Sequence, residues 1–514
     1  MRKYKILVSV FLFIFNVLSL SGEEFVVFDL QDTEYEYLNY PSAAMNKDGI
    51  FIITWNVVDK IENSKNWIDD VYVSRFNSSG EPSFEPMKIN TYSEGSYPEI
   101  AIAETGYYVI AWVNRTEKKI YARLFDNSGE PMDAEFQVNQ TIGVYQYNVS
   151  IEMDLYGNFL VVWTNEENNA FDIYARKYDM NGSPLTGEYK VNDIPFHSEG
   201  ACINLEMNSE GDYIIAWFEQ KESSKYKSII AQRFDSFDNK IGDEIQVNPV
   251  EHDPSYLSVS LNDNGCFVIS WSNEDSYWKG VFAQKYDNDG VKSGNVIQVN
   301  EFETYNQKYS SVAMANDYSY LISWASQGQD SKIGGVYSQR FDRNGNKFGK
   351  EFRLSNYDNN FWNYNDYSWQ YENFSKIYPI VASNKENHHV ICWMQEDLIY
   401  YSFYNSSTPQ IELFPEGESS FGNLNIKLNV EVSNPEVNPV DLYFAIELDG
   451  LFYWYPDWSN MAKANMINEQ LWYETIFSIS YSDLIKDDYY FIGGITEHGN
   501  LNILDLDSVT IRIK

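Results

Sequence analysis

Cysteine is scarce in this chain, with 3 among 514 residues. Cys202, Cys266 and Cys392 lie far apart in the sequence, so no disulfide framework is expected and packing is the expected role of each thiol. Histidine is almost as rare. His197, His252, His388, His389 and His498 are too scattered for a metal-binding motif. His-Glu-x-x-His, Gly-x-Ser-x-Gly and a glycine-rich phosphate loop are all absent. Basic residues are outnumbered, 37 Lys plus Arg against 75 Asp plus Glu, a net charge of −38. That balance disfavours nucleic acid and anionic membranes as partners. A long apolar run occurs at the start alone, from Ile6 to Leu20 behind Arg2, Lys3 and Lys5. With Ser19 and Ser21 offering small residues for cleavage, residues 1–22 read as a signal peptide, too short for a stable membrane span. The expected destination is secreted, periplasmic or at the cell surface.

What the sequence has in abundance is repetition. Trp55, Trp112, Trp163, Trp217, Trp271, Trp324 and Trp393 recur at intervals of 51 to 69 residues. A glycine stands six positions upstream in five copies (Gly49, Gly106, Gly157, Gly211, Gly265), replaced by Tyr318 and Asn387 in the last two. Such a period means a solenoid, a propeller or an array. The four residues before each Trp, such as Phe159-Leu160-Val161-Val162, are β-branched and aromatic types. Both faces of that strand are apolar, so both should be buried. A second strand precedes it across an Asn-Asp-x-Gly turn, and a third follows, as in Tyr121-Ala122-Arg123. A hairpin such as Phe125-Asp126-Asn127-Ser128-Gly129 leads to a fourth, as in Phe136-Gln137-Val138-Asn139. Four strands in meander order make one propeller blade.

The seventh repeat lacks a fourth strand. Glu24-Phe25-Val26-Val27-Phe28 resembles Glu135-Phe136-Gln137-Val138-Asn139 and precedes the first repeat, so it is expected to complete the last blade and remove the open edge. The predicted fold is all-β: a seven-bladed β-propeller over residues 23–407, closed by the N-terminal strand. A small β-sandwich is predicted over 408–514, where the repeat stops and prolines appear. The motifs resemble the Trp-ended propeller repeats of secreted bacterial surface proteins, and the Asp441-Leu442-Tyr443 region resembles their accessory C-terminal domains. That resemblance implies a scaffold rather than a reaction.

Function is sought in what varies. The strand three to strand four unit is constant, whereas the loop after each Trp and the link between blades change length and share one face. Variable loops on a rigid scaffold are where binding residues collect. Those loops carry Trp67, Trp278, Trp362 and Trp369 with Tyr364 and Tyr367, aromatics suited to stacking on sugars or to a protein interface. A second candidate is Glu152 and Glu206, which stand where most repeats have Ala or Ser, with Glu99 on the same strand face two positions earlier. On the innermost strands, these three carboxylates are expected to face an axial channel, where a cation or basic group could bind. Asp287-Asn288-Asp289-Gly290 resembles the start of a calcium loop, but it lacks the closing glutamate and turn chemistry explains it. No cofactor is expected. The sequence reading is therefore a protein that binds a glycan or protein ligand without catalysis. The alternative is a polysaccharide hydrolase or lyase using acidic residues on the same face.

Overall fold

The computed structural model describes residues 25–405, apart from 30–36, 61–66, 356–376 and shorter loop stretches, together with the strands between 411 and 512. Residues 1–22 lie outside this set. Every named element is a strand. Seven four-stranded antiparallel sheets follow the repeats in order. In blade 1 the strands are Tyr37–Met45, Phe51–Lys60, Trp67–Phe76 and Met87–Lys88, running from the axis outward. In blade 7 they are Ile380–Ser383, His388–Gln395 and Leu398–Asn405, and the fourth is Phe25–Asp29 from the other end of the chain. Phe25 pairs with Tyr401 and Val26 with Tyr400, so the ring closes as the repeat pattern predicts.

The fold follows from three local devices. The seven repeat tryptophans are all fully buried. Each packs on the preceding blade: Trp163 clusters with Ala111 and Val113 of blade 2, and Trp55 with Val390 and Cys392 of blade 7. The residue before each Trp is small because the next blade's indole lies against it, which is why Cys392 sits there. The second device ends the fourth strand. Buried Asn90, Asn139, Asn192, Asn248 and Asn300 each accept a hydrogen bond through Oδ1 from a strand-three amide, at 2.6–2.9 Å. The third is the turn. In blade 1, Asn46 Oδ1 accepts from the amides of Asp48 and Ile50, and Gly49 takes φ 76°. The outer strand is two residues long in blades 1, 2, 3 and 5 and seven residues long in blades 4 and 6.

Asn405–Lys514 is a separate compact unit. One of its sheets is built from Ile411–Ser420, Asn423–Val432 and Tyr473–Ser480. The other joins Leu451–Tyr455, Val440–Leu448, Asp488–Glu497 and Ile503–Arg512, with Asn465–Met466 paired to the second of these.

Two outcomes are expected. Trp163→Ala should lower stability by about 3–5 kcal/mol, the range for truncating a large buried aromatic; an unchanged denaturant midpoint would contradict the packing. Deleting residues 25–29 should expose the Leu398–Asn405 edge and promote self-association, read by light scattering, and a monodisperse monomer would contradict closure by this strand.

Candidate active site in the axial cavity

The inner strand of every blade is a sheet edge, so its outward amides have no ladder partner. Side chains of the neighbouring blade meet them. Leu205 N donates to Ser150 Oγ at 3.1 Å, Val259 N to Asn204 Oδ1 at 2.7 Å, and Val312 N to Ser258 Oγ at 3.2 Å. Met314 N donates to Ser260 Oγ at 3.0 Å and Val381 N to Ser311 Oγ at 3.0 Å. Small polar residues therefore line an axial cavity of about 410 Å³.

Glu99, Glu152 and Glu206 line this cavity with Asp263, Lys385 and Cys202. Glu206 takes the register of Ser260 and accepts from the Leu261 backbone, as Ser260 accepts from Met314. Glu99 accepts from Ser42 Oγ at 2.8 Å. Burial pushes the Glu206 carboxyl up to about 7 against the pull of Lys385. Burial also raises Glu99 to about 7, partly offset by the Ser42 hydroxyl. Glu152 is raised well above the ordinary carboxylate range, first by burial and then by its neighbour Glu206. Asp263 moves the other way: burial opposes its ionisation, but Lys385, the Ser209 amide and Asn316 outweigh it and hold the carboxyl low. Among the described residues, no three His, Cys, Asp or Glu side chains converge as a metal site.

Lys385 is absent from the sequence expectations. It sits in the blade 7 turn, extends to Met207 O in blade 4 at 2.9 Å, and lies 3.8 Å from Asp263 in blade 5. Lys385 itself takes a left-handed φ of 62°, two positions ahead of the place where blades 1 to 5 have a left-handed glycine and blade 6 has Tyr318. That conformation costs a non-glycine residue about 1–2 kcal/mol, and such strain collects at functional sites. Lysine at this position of the turn was a weak signal, since Lys47 holds the same register in blade 1.

At the opposite, loop-bearing end of the channel, the inner strands carry a second unforeseen feature. Tyr256, Tyr309, Tyr378, Tyr40 and Tyr97, from blades 5, 6, 7, 1 and 2, share one register. Their ring centroids follow one another at 4.1, 4.3, 6.2 and 4.2 Å. All but Tyr378 have φ between 50° and 60°. Each of those four sits at a register shift in the pairing with strand two, a β-bulge that re-aims its side chain. Arg115 donates to Tyr97 Oη and lies 4.6 Å from its ring centroid. Burial, with the neighbouring tyrosines, keeps the Tyr40 and Tyr309 hydroxyls well above their ordinary ionisation range. The repeated Tyr-Pro at Tyr40, Tyr97 and Tyr378 was the signal available in the sequence.

Of the loop aromatics, Trp278 is 40 % exposed and meets Tyr305 at 5.3 Å between centroids. Trp67 begins strand three of blade 1, its side chain outside the described set. Trp362, Tyr364, Tyr367 and Trp369 lie wholly outside the described residues.

No protein-family model matches the chain, and no curated protein matches it. Solved structures share the fold. One is a polysaccharide lyase of a new family, an ulvan lyase bound to a GlcA–Rha3S repeat, with TM-score 0.49, 9% identity, and coverage of 74% of this chain and 96% of that one. Another is an α-L-arabinanase of Penicillium chrysogenum complexed with arabinobiose, with TM-score 0.40, 10% identity and coverage of 74% and 97%. A third is the β-propeller domain of the trilobed protease of Pyrococcus furiosus, with TM-score 0.41, 8% identity and coverage of 73% and 94%. At these identities the likeness is to the fold. The expectation of a protein without catalysis is nevertheless corrected: structures sharing this fold include glycan-active enzymes. The sequence reading rested on missing motifs, and paired carboxylates brought together by blade register leave no linear motif.

Glu99 and Glu206 keep their protons to a higher pH in the folded chain, about 7, than at the ordinary 4.5 of the unfolded one. Between those values the folded state binds more protons, so stability falls as pH rises through the window. The denaturant midpoint should drop from pH 4.5 to pH 7, and Glu206→Gln should flatten that slope. A slope unchanged in the variant would place Glu206 in water.

Proposed function

We propose that this chain is an exported glycan-active enzyme that cleaves a glycosidic bond in the axial cavity. The observation that carries this is the carboxylate pair of Glu152 and Glu206, on adjacent blades at one register, with Lys385 reaching over from the far side. Burial, and for Glu152 the neighbouring Glu206 charge, favours the protonated carboxyl, so the pair resists losing both protons. In this reading the protonated member donates to the leaving oxygen, and the ionised member acts on the anomeric carbon or on water. Lys385 favours the ionised form of either carboxyl. Trp278 with Tyr305, and the aromatics at Trp67, Trp362, Tyr364, Tyr367 and Trp369, would hold the rest of the polymer on the loop face. The fold shared with glycan-active enzymes supports this reading.

A lyase is the second reading, favoured by Arg115 on Tyr97 at the channel mouth. A tyrosine beside a guanidinium suits proton abstraction next to a neutralised uronate.

A panel of neutral, uronate and sulfated polysaccharides should reveal one that the protein cuts, read by new reducing ends. Glu152→Gln and Glu206→Gln should each slow that cleavage roughly 10²–10⁴-fold, the usual contribution of general acid–base catalysis. Tyr97→Phe should leave a hydrolase nearly unchanged, and should abolish the ultraviolet-absorbing unsaturated product of a lyase. Full activity in both glutamine variants would place the chemistry elsewhere.

A further inference from the structure

Seven carboxylates line the axial cavity against two lysines. Both lysines are answered: Lys47 meets Glu104 at 2.9 Å, and Lys385 lies 3.8 Å from Asp263. The charge that is left inside is negative, on Glu99, Glu152 and Glu206 of blades 2, 3 and 4. Glu99 accepts from the Ser42 hydroxyl and Glu206 from the Leu261 backbone, neither of which carries charge. At the turn end the lining includes Lys47 and Glu386, both exposed, so the cavity meets solvent there. A confined site walled by one sign of charge focuses its field and concentrates ligands of the other sign. Among the described residues these carboxylates do not converge as metal ligands do, which suits an extended organic cation better than a metal ion. The walls also offer hydroxyls. Ser150, Ser258, Ser260 and Ser311 each accept from an amide of the following blade, and a hydroxyl that accepts through its oxygen keeps its own proton to donate.

We propose that the cavity takes a glycan built of amino sugars with free, protonated amines. Glu99, with the ionised member of the Glu152 and Glu206 pair, binds the ammonium, and the serine hydroxyls meet the sugar oxygens. This rests on the reading of those two glutamates as the acid–base pair, and it names the sugar they act on. An ammonium in the cavity offsets the burial that keeps Glu99 and Glu206 protonated up to about 7. The carboxylates in turn replace the water that the ammonium gives up. A uronate or a sulfate does the reverse, adding negative charge where the carboxyls already resist ionising. Lys385 offers such an anion little, because its ammonium donates to Met207 O at 2.9 Å and faces Asp263. The cavity, at about 410 Å³, is within the usual size of a small-ligand pocket, about 300–1,000 Å³.

Equilibrium binding to the full chain at pH 7 and low salt tests this with three oligosaccharides: glucosamine tetramer, its N-acetylated counterpart and galacturonate tetramer. The free amine should bind about tenfold or more tightly than the acetylated form, and the uronate most weakly of the three. Glu99→Gln should weaken binding of the amine about tenfold and change that of the acetylated form less than twofold. Lys385→Met removes a positive charge and releases Asp263, so it should tighten binding of the amine, a gain that a damaged fold does not produce. The whole chain carries −38, so a cation could also adhere to its surface. Amine binding of equal strength in both variants would show that it does, and would overturn the proposal. Acetylated or uronate oligomers binding as tightly as the amine, or no binding by any of the three, would overturn it too. The two claims separate because binding is read without turnover. Amine-selective binding that responds to both variants, with no polysaccharide cut, would sink the catalytic reading alone. Cleavage of a neutral or uronate polysaccharide, with no preference for the amine, would sink the amino-sugar assignment alone.

Discussion

Seven sheet edges turned toward one axis are the constraint on which the rest of this structure depends. A blade buries its faces against its neighbours, but its innermost strand has no partner strand. Inner amides find acceptors in the preceding blade, where Ser150, Asn204, Ser258, Ser260 and Ser311 supply them. The axis is consequently polar and open, while the blade interfaces carry the buried tryptophans. Stability and chemistry occupy different layers of one repeat, so the inner layer is free to vary where the tryptophan layer is not.

Glu206 shows how small the step is from scaffold to site. It stands where Ser260 stands one blade on, and still accepts a backbone hydrogen bond. The exchange places a carboxyl in a confined cavity, where desolvation favours its protonated form. A second glutamate at the same register on the adjacent blade then couples to it. Rigidity matters as much as proximity: Phe25–Asp29 joins the last blade to the start of the chain, so the carboxylates are held by a closed ring.

The fold was legible because its signals are local and repeated. The Trp-strand pattern, the Asn and Asp turns and the displaced fourth strand at Phe25–Phe28 each read directly from sequence. Glu99, Glu152 and Glu206 could be placed on the inner strand because register is counted from the turn glycine. Lys385 could not, since its role comes from a left-handed backbone and a reach across the ring, neither of which lysine advertises. The tyrosine arc left one signal, the repeated Tyr-Pro at Tyr40, Tyr97 and Tyr378. Its residues lie in different repeats, and tyrosine is no natural occupant of positive φ, so the bulges at Tyr40, Tyr97, Tyr256 and Tyr309 are set by the ring as a whole. Linear motifs record sites built within one segment, and the residues lining this cavity come from all seven blades.

A crystal structure of the Glu206→Gln variant soaked with an oligosaccharide from a cleaved polysaccharide tests the central claim most directly. The account predicts a sugar ring in the axial cavity, with its glycosidic oxygen within hydrogen-bond distance of the residue 206 side chain and Glu152 on the other side. An oligosaccharide bound only at the outer loops around Trp278, with the cavity holding water alone, would contradict it.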